Sequence, residues 1–431
     1  MVLQKLSRSA VIFLAFALLL IAALTAMYGR RLGDYAGYLT VGQLALAGRD
    51  VYRDAPPGIN TWPPFFSLFC APLALLSGWS ALGTRIAWLL LNWAALLVVL
   101  ACAVRMTCDR PLGLPGSASD RGERISVASS AALLPLLFCL RWILANFEHL
   151  QINILILALT SIGLLMHRCG RDGRAGVLIG AAAALKVLPV LFVPYFIWRR
   201  QWRAALMTAT ATVAWSLIPA AVWGMPRFVS AFHAWIDVLR AGSGVGKMNL
   251  SVYAMIDRTV GHGIVPFTVA GTDTLPFSGS TVSRITMYVA LGLVTALACW
   301  RFRGAYDRGS RSAVAEWCIV LLVGAIFGPL TWKPYLVVMV PAMVLAVAAW
   351  RDTALPARFR RALRALTWVA FLIGMAAANV LVGNRIAELL EMSSVLTVSA
   401  LVVLGELFWC QSVLNAPRRR SPYSHPGHAP P

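Results

Sequence analysis

Apolar runs of about twenty residues, separated by short clusters of arginine, constrain this chain more than any other feature. A bilayer core of about 30 Å needs roughly 20 apolar residues per helix. In the second half, runs at 204–223, 284–300, 313–329, 334–350, 365–382 and 394–414 meet that need. The loops between them are of two kinds. Arg199, Arg200 and Arg203 precede the first run, Arg301, Arg303, Arg308 and Arg311 follow the second, and Arg358, Arg360, Arg361 and Arg364 precede the fifth. Arg418, Arg419 and Arg420 follow the last. The intervening loops are poor in arginine, including a long one from about Gly224 to Ser283. Basic loops stay in the cytoplasm, so the pattern predicts strict alternation through six spans.

The first half is less regular. Val11 to Met27 follows Lys5 and Arg8, as a signal peptide would, but Tyr28-Gly29-Arg30-Arg31 comes next and no small-residue cleavage site does. The run reads as an uncleaved first span starting in the cytoplasm. Runs at 62–78, 85–104, 126–145 and 150–166 then precede a basic loop with Arg168, Arg171 and Arg174. Two registers fit. If that loop is cytoplasmic, one run is not a full span, and 175–198 begins and ends in the cytoplasm as two short helices broken near Lys186 and Pro189. Otherwise all four runs cross and 175–198 crosses once. Either way the expectation is an all-α polytopic integral membrane protein of about 12 transmembrane helices. Both termini would be cytoplasmic, in the inner (plasma) membrane. One membrane domain is expected over 1–416, with outer loops at about 28–61 and 224–283 and a disordered Pro- and Arg-rich tail at 417–431.

Composition closes off other classes. Of 431 residues 59% are hydrophobic and only 13% charged, with a mean hydropathy of +0.73, against about a quarter charged in globular domains. A soluble core cannot bury so much apolar surface. The net charge of +21, from 38 Lys and Arg against 17 Asp and Glu, would suggest nucleic acid in a soluble protein. Here the arginines lie in loops, so membrane lipids are the expected neighbours and a nucleic-acid partner is set aside. Cys70, Cys102, Cys108, Cys139, Cys169, Cys299, Cys318 and Cys410 form no CxxC and have no His at ligand spacing, so neither a disulfide framework nor a zinc site is expected. No Asp-x-Asp pair occurs, and metal independence with no cofactor is the expectation.

The polar residues cluster after the first span, in Gly33-Asp34-Tyr35-Ala36-Gly37-Tyr38, Leu46-Ala47-Gly48-Arg49-Asp50-Val51-Tyr52 and Asn60-Thr61-Trp62-Pro63-Pro64-Phe65. The middle of this segment reads as a short amphipathic helix on the membrane surface. A carboxylate at the membrane face, as Asp34 is, suits a general base for a hydroxyl. It also suits a helix cap or a partner for Arg30 or Arg31. Lysine is scarce, so Lys186, Lys247 and Lys333 stand out as cations for a phosphate. A Lys inside an apolar run is costly unless paired or solvated, although Lys186 near a helix end can also snorkel. Glu316 and Glu406 read as solvated or locally paired residues near span ends, and Trp62, Trp79, Trp223 and Trp332 as interfacial anchors.

The ordered set Asp34-Tyr35, Tyr38, Leu46-Ala47-Gly48, Val51-Tyr52 and Trp62-Pro63-Pro64 resembles the first outer loop of glycosyltransferase family 87. That family contains polyprenyl-phosphate-mannose-dependent mannosyltransferases of the GT-C superfamily. Gln151-Ile152-Asn153 resembles its Gly-Gln-x-Asn motif. Ala184-Leu185-Lys186-Val187-Leu188-Pro189, followed by Arg199-Arg200-Gln201-Trp202-Arg203, resembles its Ala-Leu-Lys-x-x-Pro segment and Arg-rich loop. Asn249-Leu250-Ser251-Val252-Tyr253 resembles its Asn-x-Ser motif. There are departures. His149-Leu150 stands where the family usually has Gly, and Pro329-Leu330-Thr331-Trp332-Lys333-Pro334-Tyr335 where it often has Ser-Trp-x-His-His.

The resemblance implies a GT-C-like fold and transfer of mannose or a related sugar from a polyprenyl-phosphate donor to a lipid-linked or glycan acceptor. It implies Asp34 as the base, with Lys186, Lys333, Tyr35, Tyr38, Gln151, Asn153, Asn249, Ser251 and Trp62 around donor and substrate. The chemistry is consistent: a phosphate leaving group needs little protonation, so one carboxylate suffices where glycosidases need two. A secondary transporter or lipid-linked-sugar flippase is the alternative, but such proteins pair interrupted helices in both halves. This chain interrupts one segment, near Lys186 to Pro194. A purely structural subunit leaves the ordered polar motifs without a purpose.

Overall fold

The computed structural model describes residues 8–56, 58–114, 124–241, 244–263 and 275–415. The expected tail at 417–431 and Gly242 of the glycine-rich stretch lie outside them.

Helices α1 (Arg8–Tyr28), α2 (Tyr35–Leu46), α3 (Pro64–Trp79) and α4 (Ala81–Cys108) come first. Ser80 separates α3 from α4 and caps the latter, its hydroxyl accepting from the Gly83 amide at 3.0 Å. A parallel two-residue pair, β1 (Leu112–Gly113) with β2 (Ile125–Ser126), leads into α5 (Ser130–Phe138) and α6 (Leu140–Glu148), bent by 64°. Then follow α7 (Asn153–Arg168), α8 (Asp172–Leu185), a 3-10 turn (Leu188–Leu191), α9 (Phe192–Trp198), α10 (Trp202–Trp223) and α11 (Met225–Ala241). The chain closes with α12 (Val252–Ile256), α13 (Thr281–Arg301), α14 (Arg311–Ile326), a 3-10 turn (Lys333–Val338), α15 (Met339–Arg351), α16 (Ala357–Ala376), α17 (Asn379–Met392) and α18 (Val395–Asn415).

Among the described residues, six helices are long and apolar enough to cross a membrane, or up to eight if each bent pair is one span. The protein is a helical, multi-pass membrane protein. The expected count of about 12 is not confirmed: α3, α7, α8, α9 and α14 are shorter than these spans, and two elements depart from a simple crossing. Both flanks of helix α3 are tied to the segment before it: the Trp62 carbonyl accepts from Tyr52, and Arg85, just after the helix, donates to the Arg31 carbonyl. Helices α8 and α9 form the other. A Cβ on Gly176 would meet Met207 and one on Gly180 would meet Ala211, so α8 and α10 run in the same direction and α9 must return between them. Arg308 reaches both Asp172, at 3.5 Å, and Gln201, at 3.2 Å. The 168–174 and 199–203 loops therefore share one Arg-rich end, as in the first register, and α8–α9 is a hairpin with Lys186 at its tip.

The hairpin turns at Lys186 for local reasons. Lys186 is extended (φ −155°, ψ 120°), and Pro189, which has no N–H to donate, opens the 3-10 turn. Buried polar ties fasten its base, with Arg199 paired to Glu316 at 3.1 Å. Glu406 departs from the expected position near a span end. It lies within α18, buried, and accepts from Thr367 at 3.1 Å.

The opposite end holds the two long inter-span segments. Arg227 on α11 donates to the Arg49 carbonyl at 2.5 Å, and the Trp235 ring N–H to the Thr61 carbonyl at 3.3 Å. Helix α2, expected on the surface, is largely buried against α3, where a Cβ on Gly42 would fall 2.5 Å from the Cys70 carbonyl.

Candidate active site

The site is built on Gly33. Its φ of +48° is one that side-chain-bearing residues rarely adopt, and a Cβ there would lie 2.7 Å from the His149 carbonyl oxygen. This close approach lets the Asp34 amide donate to that oxygen at 3.0 Å, pinning the entry to α2 against the loop after α6. The carboxylate is thereby left for other work. It caps nothing, and Arg31 pairs instead with Glu148 at 2.5 Å. What meets Asp34 is the Gln151 side-chain amide, which donates to Oδ2. Burial raises the Asp34 pKa above the usual carboxylate range, while His149, the Gln151 hydrogen bond and the Lys186 charge pull against it.

Gln151 is aimed by its neighbours. Leu150 before it has a φ of +50°, and its carbonyl accepts from the Trp88 ring N–H at 2.9 Å. The left-handed conformation disfavours any residue with a Cβ, which accounts for a glycine motif at this place. Here a fully buried Leu holds it. The Gln151 Oε1 accepts from Tyr38 Oη and from Asn153 Nδ2, both at 3.3 Å. Tyr38 sits edge-on to Trp62 and Phe66, with ring centroids 5.0 Å away in each case. Tyr35 is buried against Trp88, and its hydroxyl has no hydrogen-bond partner among the described residues.

Asn153, the first residue of α7, carries the network onward. Its Oδ1 accepts from the Lys186 ammonium at 2.5 Å, and Lys186 lies over the Tyr335 ring, 3.2 Å from the centroid. Lys186, Asn153 and Tyr335 line a narrow, half-open cleft of about 20 Å³ whose other walls include Ile156, Leu157, Leu188, Leu321 and Val338. An unbroken line therefore runs Lys186–Asn153–Gln151–Asp34. The two amides point the same way, each oxygen toward the cationic end and each N–H toward the carboxylate.

Not every expected residue joins this line. Lys333 pairs with Glu391 at 2.5 Å, on a carboxylate oxygen it shares with Arg141, and Lys247 pairs with Glu388 at 2.8 Å. Asn249 bonds the Gly244 and Pro329 carbonyls and accepts from the Ser251 and Thr331 amides. The Ser251 hydroxyl caps α12, accepting from the Ala254 amide at 3.0 Å. These two hold a loop together. Conversely, Tyr335 and Asn146 belong to the site and were not singled out from sequence. The only cue was that Tyr335 ends the stretch where the resembled family often has His-His.

Residues 60–325, more than half of the chain, match the sequence profile of glycosyltransferase family 87. The chain belongs to glycosyltransferase family 87. Curated relatives agree. The chain is 26% identical over 332 residues to a polyprenol-phosphate-mannose-dependent alpha-(1-2)-phosphatidylinositol mannoside mannosyltransferase of Mycolicibacterium smegmatis, covering 74% of this chain and 70% of that one. It is also 26% identical over 320 residues to the Mycobacterium tuberculosis protein of the same name, covering 71% and 67%. Among solved structures, ArnT from Cupriavidus metallidurans bound to undecaprenyl phosphate is 15% identical, with a TM-score of 0.45, covering 94% of this chain and 77% of that one. As a family-87 member the protein is a membrane glycosyltransferase. The matched region includes Trp62, Gln151, Asn153 and Lys186; Asp34, Tyr38 and Tyr335 fall outside it.

Proposed function

We propose that this family-87 glycosyltransferase moves mannose, or a related hexose or pentose, from a polyprenyl-phosphate donor to a hydroxyl of a lipid-linked or glycan acceptor. The reading is carried by one observation, the hydrogen-bonded line that joins Asp34 to Lys186 beside an apolar-walled cleft. In this reading the donor phosphate sits at Lys186 and the polyprenyl chain lies along the apolar wall beside it. The relatives' names supply the donor class.

In this mechanism Asp34 accepts the proton of the acceptor hydroxyl as its oxygen bonds to the anomeric carbon. The bond from that carbon to the phosphate oxygen breaks with its electron pair, and polyprenyl phosphate departs. One displacement inverts the anomeric centre. Negative charge builds on the leaving phosphate, where a fixed cation is worth most, and Lys186 faces it. The transfer takes place at the end of the bundle that carries residues 28–61 and 224–241, opposite the arginine clusters, which the positive-inside rule makes the non-cytoplasmic face of the inner membrane.

The test is transfer by purified protein in vesicles, with polyprenyl-phosphate mannose as donor and a mannosylated lipid as acceptor. Sugar transfer with release of polyprenyl phosphate, and weaker donor binding by Lys186→Met, are the expected results. Movement of intact donor across the bilayer without transfer would overturn the proposal in favour of transport.

A further inference from the structure

Lys186 has three N–H donors and two recorded partners, Asn153 Oδ1 and the face of the Tyr335 ring. The ring is not there by accident of packing. Tyr335 belongs to the 3-10 turn Lys333–Val338, and its amide donates to the Trp332 carbonyl at 2.9 Å. The residue before it is fixed from another helix: Asn146 on α6 donates to the Pro334 carbonyl at 2.8 Å. The same Asn146 side chain accepts from Asn153 Nδ2 at 3.2 Å. One buried amide thus registers both partners of the ammonium. A cation over an aromatic face is attracted by the ring quadrupole, and the attraction grows when water is excluded. It leaves the third donor of the ammonium unclaimed by either partner.

We propose that Tyr335 is a positioning residue for transfer: its ring is the seat that holds the Lys186 ammonium beside Asn153, with one N–H presented to the phosphate of the incoming donor. This rests on the reading of Lys186 as the phosphate cation. The ring, not the hydroxyl, is what the role needs. Without the ring the ammonium keeps Asn153 alone and swings, so it meets the phosphate in a spread of positions. Binding weakens, and the charge that develops on the leaving group is met less well, so both KM and kcat change.

The experiment is a double-mutant cycle on donor kinetics with Lys186→Met, Tyr335→Phe, Tyr335→Leu and the double variant Lys186→Met/Tyr335→Leu, each checked for an unchanged melting temperature. Tyr335→Leu should lower kcat/KM for the donor by roughly 10- to 30-fold, the scale of a desolvated cation–π contact. Tyr335→Phe should stay within about threefold of wild type, because it keeps the ring face. In the Lys186→Met background, Tyr335→Leu should have no further effect, since nothing remains to be positioned. Equal losses from Tyr335→Leu with and without Lys186 would overturn the proposal, as would a loss in Tyr335→Phe as large as in Tyr335→Leu. If Lys186→Met itself leaves donor kinetics unchanged, the reading of Lys186 fails first. If Lys186→Met is impaired and Tyr335→Leu is not, only the present proposal fails. Should Tyr335→Leu not fold, Tyr335→Met, which keeps the bulk without the ring face, replaces it in the cycle with the same expected losses.

Discussion

Gly33 and His149 approach each other so closely that a methyl group on the glycine would lie 2.7 Å from the histidine carbonyl oxygen. They are far apart in sequence, on the two segments that supply Asp34 and Gln151. Gly33→Ala therefore meets two penalties, a left-handed backbone and a clash with main chain. The expected cost is about 1–3 kcal/mol of stability, with transfer reduced more than folding because Asp34 moves off Gln151. Thermal unfolding and turnover of the same preparation check this; full activity would mean the contact does not set the base.

The pH dependence follows from burial. A base works only when ionised, so transfer falls as pH drops through the Asp34 pKa. Burial raises that pKa above its ordinary value, so the acid limb of kcat/KM should lie at higher pH than a solvent-exposed aspartate would give. The Lys186 charge pulls the other way. In Lys186→Met the residual activity should show its acid limb at still higher pH, and a limb that moves down would contradict the coupling.

Arg258 ties the 244–263 segment to the start of α18. It is buried and donates to the carbonyls of Val245, Gly246 and Asn249 at 2.8, 3.0 and 2.9 Å, and to the Ser394 hydroxyl at 2.7 Å. Burial lowers its pKa to about 10, so it remains charged at neutral pH. An ammonium cannot reproduce this fork. Arg258→Lys should cost about 2–4 kcal/mol, seen as a lower melting temperature and faster proteolysis within this segment.

The other acids near Asp34 serve as controls. Arg49–Asp54 at 3.2 Å and Arg53–Asp50 at 4.0 Å are solvent-facing pairs in which both arginines are exposed. Such pairs contribute about 0–1 kcal/mol. Asp50→Asn and Asp54→Asn should transfer sugar within about threefold of wild type. A hundredfold loss in either would move the base away from Asp34.

Much of this was legible in the sequence, for reasons that differ by element. The long spans show because lipid accepts only closed helices with apolar surfaces. The break at Lys186 shows because an extended residue and a proline three positions on cannot continue a helix. Helix α3 did not stand apart from the spans, since its apolar run at 62–78 satisfies the length rule while both its flanks bond to the segment before it. Helix α11 was hidden in what read as a loop; it packs against α10 and α3. In the site, residue types pointed to Asp34, Gln151, Asn153 and Lys186. That they form one hydrogen-bonded line depends on α2, α7 and the α8–α9 hairpin meeting, which spacing along the chain does not encode. For the same reason Asn249 and Ser251 read as ligands, whereas in the fold Asn249 bonds Pro329 and Thr331 and Ser251 caps α12. Tyr335 carried no signal of its own in the sequence; its ring lies under an ammonium only because the fold brings them together.

The most direct measurement is the single-turnover rate of Asp34→Asn. The amide keeps the shape of the carboxylate and leaves a side-chain oxygen for Gln151, but it cannot take a proton. The variant should fold, bind polyprenyl-phosphate donor as wild type does, and transfer sugar about 10²–10⁴-fold more slowly, toward the slow end because Gln151, not a second carboxylate, is the side chain that meets Asp34. A wild-type rate of transfer from Asp34→Asn would contradict the account.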